Sequence, residues 1–184
     1  AMLKKRGISV KGGGGGKLYY YISPQIWAWK SGRRFKMAQL LDSLAVIFPF
    51  ETKCYADTSL DTHFVGHPFL SPDYTPPVEY SPDGKILMLS GSREIAVSRI
   101  FPVMCGALER LGGENAVAVY PTLRIKKILE DTLIKHPNLA GRVEIVPNDW
   151  SERMAAKAVM MSSGTMSLAC SLAGIPGAIV YKAN

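Results

Sequence analysis

The sequence predicts an α/β protein built on a Rossmann-like, doubly wound parallel sheet, and three observations lead there. Short apolar runs such as "KILML", "AVAVY" and "VMM" do not alternate polar with apolar, the pattern of strands buried on both faces. Each run is followed by a stretch of helical period. Glycine or proline then punctuates the return to the next strand, as in repeated strand–helix–strand units.

In order along the chain, residues 17–22 read as a strand, 33–44 as a helix and 43–48 as a second strand. "FPFE" at 48–51 opens a short helix, and "THFVGHPF" at 62–69 is a strand and turn. "LSPDYTPPVEYSPDGK" then places four prolines in sixteen residues without apolar period, so 71–84 is expected to link a first lobe, 1–70, to a second, 85–184. The second lobe alternates regularly: strand 85–89, helix 96–111 stopping at Gly112-Gly113, strand 116–120, helix 123–135, strand 143–146. A helix at 150–156, a strand at 159–161, a helix at 166–173 closing at Gly174 and a strand at 177–181 complete it.

At 184 residues with 47% hydrophobic content, the chain can bury a real core in one domain or two small lobes. Its charge is uneven. Residues 1–53 hold ten Lys/Arg against two acids, and the remainder holds twelve against thirteen. A basic end of this kind attracts phosphates, on nucleic acid, anionic lipid or a nucleotide; a solvated face without a specific partner has the same composition.

Cys54, Cys105 and Cys170 are odd in number and widely spaced, which suits buried thiols in a reducing compartment. His63, His67 and His136 show no metal-ligand spacing, so no metal is expected, and without a GxGxxG stretch no nicotinamide or flavin cofactor is expected either. Residues 1–10 are basic rather than apolar, so no signal peptide is expected, and no apolar run reaches membrane-spanning length.

"KGGGGGK" at 11–17 resembles a phosphate loop but fails it. With Gly16-Lys17 as the terminal pair, Lys11 stands where the first glycine belongs and Leu18 where a magnesium-binding hydroxyl belongs. Residues 1–17 are therefore expected to be a flexible connection, natural or engineered.

In doubly wound sheets, ligands bind beyond the carboxyl ends of strands, against helix amino ends. Two turns qualify. "LSGSRE" places Gly91, Ser92 and Arg93 between a strand and a helix, and "SSGTMSLAC" places Ser163, Gly164 and Thr165 likewise. Backbone N–H groups, hydroxyls and a guanidinium there suit a diphosphate, although Ser and Thr at such points also serve as helix caps. His67 lies on a strand-to-turn edge beside Gly66. Trp27 and Trp29 read as core or lobe-interface residues, or as an apolar platform beside Lys30, Arg33 and Arg34.

"YYYISPQIWAWKSGR", "IFPFE", "FVGHP", "LSGSRE" and "SSGTMSLACSLAGIP", in that order, resemble the lipid-A-disaccharide synthase family of GT-B glycosyltransferases over most of residues 18–181. The resemblance implies the end of an acceptor lobe followed by most of a donor lobe. It also implies transfer of 2,3-diacylglucosamine from UDP-2,3-diacylglucosamine to 2,3-diacylglucosamine 1-phosphate, giving the lipid A disaccharide 1-phosphate and UDP. The family needs no metal, binds no nucleic acid and works peripherally on the cytoplasmic face of the inner membrane, with homodimers expected of the full-length protein.

On that resemblance, Gly91, Ser92, Arg93, Ser163, Gly164 and Thr165 would hold UDP. Ser23, Pro24, Trp27, Trp29, Arg33, Gly66 and His67 would serve the lobe interface or the acceptor. The catalytic acidic base is expected in family sequence preceding position 1, so no catalytic residue is assigned. The family pattern also puts carboxylates where this chain has Ala96 and Ala169, with Glu94 near the first but on another face. A fragment or trimmed form, inactive alone, is expected. Two alternatives remain at this stage: another UDP-sugar enzyme, such as a 2-epimerase or an N-acetylglucosamine transferase, or a non-catalytic basic module for RNA or anionic membrane.

Overall fold

The computed structural model describes residues 1–149 and 151–182. The chain divides into two compact units, Ala1–Tyr74 and Thr75–Asn184.

The first unit carries a three-stranded parallel sheet in the order β1 (Tyr19–Tyr21), β2 (Ser43–Val46), β3 (Asp61–Phe64). Its core gathers Ile26, Ala38, Leu44, Val46, Tyr55 and Leu60. The helix expected over 33–44 is shorter: α2 covers Arg33–Ala38. Its final carbonyls are taken by lysines, Lys11 Nζ donating to Ala38 O and Lys4 Nζ to Gln39 O, which caps the helix where the apolar period alone would have run on. Asp42 then accepts from Leu18 N–H at 2.7 Å and fixes where β1 lies beside β2.

The segment expected to be flexible, 1–17, follows a defined path. A short helix, α1 (Met2–Lys5), leads into a compact turn in which Gly12 and Gly14 N–H donate to Ser9 O and Gly16 N–H donates to Ile8 O. A Cβ at Gly14 would lie 2.2 Å from Gly7 O, so the glycines here allow backbone to approach backbone. Composition showed the freedom of these glycines but not their packing.

The second unit holds a five-stranded, all-parallel sheet in the order β6-β5-β4-β7-β8. The strands are β4 (Val78–Leu89), β5 (Ala116–Tyr120), β6 (Val143–Pro147), β7 (Met154–Ser162) and β8 (Gly177–Val180). One face packs α3 (Glu94–Leu111) and α4 (Leu123–Leu133) in a cluster around Met88, Phe101, Met104, Leu108 and Ile125. Leu87, Leu89, Val159 and Met161 meet Cys170, from α5 (Thr165–Leu172), in a second cluster. Helices on a parallel sheet with two apolar clusters are the doubly wound arrangement.

Two expectations are corrected here. Strand residues begin inside the stretch read as a linker, because Val78–Tyr80 already pair with Met154–Ala156. The proline-rich remainder, Ser81-Pro82-Asp83-Gly84, is absorbed as an irregularity between Tyr80 and Lys85, where a proline without N–H costs the ladder nothing. Gly84 is needed there, since a Cβ would lie 2.8 Å from Ala156 Cα.

By the same pairing the helix expected at 150–156 does not form over Met154–Ala156, which are strand. Alanines favour helix weakly, and burial against Val78 outweighs that preference. Trp150, the first residue of that expected helix, lies outside the described residues, as do the last two positions of the expected second lobe, Ala183 and Asn184.

Candidate functional site

The order of the second sheet places a switch point between β4 and β7: β5 and β6 extend to one side of β4, β7 and β8 to the other. Leu89 pairs with Met161, so the chain leaves both strands side by side. A Cβ at Gly91 would sit 3.0 Å from Ser162 Oγ, and Gly91 has φ +108°, a conformation that favours glycine. From there the chain enters α3 through Arg93, whose extended backbone starts the helix without a side-chain cap. The first-turn N–H groups of α3 have no intrahelical acceptor, which makes this end an electropositive edge. Across from it, Gly164 starts α5, also without a side-chain cap.

A cavity of about 580 Å³ lies over these ends. Its lining includes Gly91, Ser92 and Arg93 from one turn and Ser163, Gly164 and Thr165 from the other, so the two predicted turns meet at one place. It also includes Asn148, Ser162 and Tyr181, which sequence reasoning missed. Asn148 follows a third strand end; the rule that ligands gather at strand carboxyl ends could have found it.

Arg93 and Ala96 border a second cavity of about 640 Å³ along α3, together with Ile95, Arg99 and Tyr181. Among the described residues Arg93 makes no hydrogen bond or ion pair, whereas Glu94 faces Arg124 at 3.5 Å. Ala96 therefore leaves open space on both cavities, whereas Ala169 is fully buried in the sheet's other layer.

In the first unit the remaining predicted residues lie after the strand ends. β1 ends at Tyr21; Ile22 follows, with a φ of +67° that is unusual for a β-branched side chain, and the chain turns into Ser23-Pro24. Ser23 is buried, donates to Pro24 O and shares a 2.7 Å hydrogen bond with the Tyr55 hydroxyl. Burial pushes the Tyr55 phenol up, offset in part by Ser23, so it stays protonated at neutral pH.

Trp27 and Trp29 are 48% and 62% exposed, which corrects the reading of them as core residues. Trp27 meets Phe50 edge-on at 5.5 Å, Phe50 stacks with Phe48 at 5.6 Å, Phe48 faces His67 at 6.0 Å, and His67 meets Phe69 at 5.0 Å. Trp27 and His67 are thus joined through rings that sequence reasoning did not single out. Trp29 carries Lys30 over its face at 4.4 Å, and Arg33 is exposed. Gly66, at φ +86°, makes the turn that presents His67.

Glu51 holds the phenylalanine pair in place. Its carboxylate, 2% exposed, accepts from the N–H groups of Ile47 and Phe48 at 3.1 and 3.0 Å. Glu51→Ala would leave two N–H donors unpaired, at a cost of about 1–3 kcal/mol. Chemical denaturation should show that loss, and Glu51→Gln, which keeps an acceptor, should recover most of it.

Among the described residues no group of His, Cys, Asp and Glu side chains could hold a metal ion, and no helix is long and apolar enough to cross a membrane. Burial pushes the Cys105 thiol up to about 12, so it stays protonated and unreactive.

The lipid-A-disaccharide synthetase family model matches residues 3–184. The chain belongs to that family. Among curated lipid-A-disaccharide synthases, that of Anaeromyxobacter dehalogenans (strain 2CP-C) is 37% identical over 196 residues, covering 99% of this chain and 48% of the relative. That of Coxiella burnetii (strain Dugway 5J108-111) is 35% identical over 90% of this chain and 46% of the relative. The Nitrosococcus oceani synthase is 33% identical over 91% of this chain and 46% of its own length. The chain therefore spans just under half the length of these lipid-A-disaccharide synthases. Its parallel-sheet α/β units fit a Rossmann-like, GT-B glycosyltransferase fragment.

Proposed function

We propose that this chain is the part of a lipid A glycosyltransferase that binds the UDP-sugar donor and contributes to acceptor binding. The observation that carries this is the cavity at the β4–β7 switch point, where two helix-starting turns converge with an arginine that has no hydrogen-bond or ion-pair partner among the described residues. Its donors suit a pyrophosphate: backbone N–H groups, the hydroxyls of Ser92, Ser163 and Thr165, and the Arg93 guanidinium. The whole enzyme would transfer 2,3-diacylglucosamine from UDP-2,3-diacylglucosamine to 2,3-diacylglucosamine 1-phosphate and release UDP.

In such a displacement a carboxylate base takes the acceptor's proton while fixed positive groups stabilise the departing diphosphate. This chain supplies the second role, through Gly91, Ser92, Arg93, Ser163, Gly164 and Thr165. Ser23, Pro24, Trp27, Trp29, Arg33, Gly66 and His67 would serve the acceptor. Exposed tryptophans beside lysine and arginine suit an amphiphilic substrate at an anionic surface, supporting peripheral work at the inner membrane's cytoplasmic face. Homodimerisation of the whole enzyme belongs to the same proposal and rests on family resemblance.

The test is a titration of the 184-residue chain with UDP and, separately, with RNA, followed by tryptophan fluorescence and thermal melting. At a hundredfold excess over its Kd, a ligand bound only by folded protein adds about 2.7 kcal/mol. UDP stabilisation without RNA binding supports the proposal. RNA binding that collapses with salt, and indifference to UDP, would replace it with a basic binding module.

A further inference from the structure

We infer that His67 presents its Nε2–H as a neutral hydrogen-bond donor to an oxygen of the acceptor, a substrate-positioning role rather than that of a base. The ring's Nδ1 accepts from Phe69 N–H at 3.1 Å, capping the short 3₁₀ turn Pro68–Leu70. An acceptor nitrogen keeps its lone pair, so the ring proton of the neutral imidazole sits on Nε2. Among the described residues that nitrogen has no hydrogen-bond partner.

Its surroundings favour a ligand with both polar and apolar parts. The ring packs between Phe48 and Phe69, in the row that runs through Phe50 to exposed Trp27. An unpaired N–H beside apolar rings binds well where a sugar hydroxyl or phosphoryl oxygen arrives with an acyl chain attached. Taking up a proton at Nε2 as a base would first require the ring to switch tautomer and abandon the Phe69 N–H. Pro68 restricts the backbone of His67, and Phe48 and Phe69 flank its ring at 6.0 and 5.0 Å, so reorientation would break these contacts. The identity of the ligand rests on the transferase proposal; the tautomer does not.

The experiment uses the chain with ¹⁵N-labelled histidine, with His67 resonances assigned by their loss in His67→Gln. The imidazole nitrogen shifts should show the Nε2–H form, and an Nδ1–H form or an even mixture would overturn the inference. The soluble probe is N-hexanoylglucosamine 1-phosphate, which should move the His67 Nε2 signal; a signal left unmoved at saturating probe overturns the donor role.

Two variants separate capping from donation. His67→Asn keeps an acceptor for Phe69 N–H but does not reach the Nε2 position, so probe binding should weaken about tenfold in a folded protein. His67→Gln places an amide N–H near Nε2 and should bind better than His67→Asn. Wild-type affinity in His67→Asn would show that the histidine only caps the turn, and would end the inference. A chain that ignores UDP while showing the Nε2–H tautomer and the probe response would end the transferase reading instead.

Discussion

Arg93→Ala should lower turnover by about 10²–10³ in a full-length family enzyme carrying this sequence, the usual cost of removing one preorganised donor from a developing negative charge. The loss should appear in kcat, because charge on departing UDP grows as the glycosidic bond breaks and is smaller in bound substrate. Arg93 is suited to this role because, among the described residues, it makes no hydrogen bond or ion pair: it borders both cavities, and Arg124 is met by Glu94. Arg93→Lys should recover part of the rate, since the charge returns without the planar fork. In the 184-residue chain the same substitution should shrink the thermal shift produced by UDP. Unchanged turnover in Arg93→Ala would remove the arginine from the donor site.

Phe101→Ala should destabilise the second unit by about 3–5 kcal/mol, the range for emptying a fully enclosed aromatic site. Phe101 lies on α3 in the cluster that joins α3 and α4 to the sheet and is wholly buried. Stability of an ordinary domain is about 5–15 kcal/mol, so this one change removes a large share of it. Chemical denaturation should show a much lower midpoint. Ile95→Ala, on the exposed side of the same helix, should stay within about 0.5 kcal/mol of wild type. Because α3 carries the cavity's electropositive edge, Phe101→Ala should also lower the temperature at which UDP still protects the protein.

The second sheet was legible because its strands are buried on both sides, so "ILML" and "AVAVY" are short, unalternating apolar runs bounded by turn residues. Reading failed where distant partners decide. Met154–Ala156 favours helix locally and becomes strand against Val78–Tyr80, seventy-odd residues earlier. The lysines that stop α2 at Ala38 come from before the first strand. The glycine run looked flexible because a sequence shows what glycine permits but not which carbonyl will press against it.

The candidate site divides in the same way. Gly91, Ser92, Arg93, Ser163, Gly164 and Thr165 could be found because strand-to-helix turns carry a local pattern, and the fold brings them to one cavity. Asn148 and Tyr181 arrive from other strand ends, visible only once strand order is known. Phe48 and Phe50 were overlooked because their value lies in whom they touch, and Glu51 because its task is to hold them.

The central position of β4 has a consequence for biosynthesis. It is the first strand of its sheet to leave the ribosome, yet one of its two flanks stays vacant until β7, ending at Ser162, has also emerged. Pairings between segments so far apart form slowly and leave an adhesive ribbon in the meantime. Nascent chains arrested before Met154 should therefore bind holdase chaperones strongly, and release should coincide with emergence of Ser162.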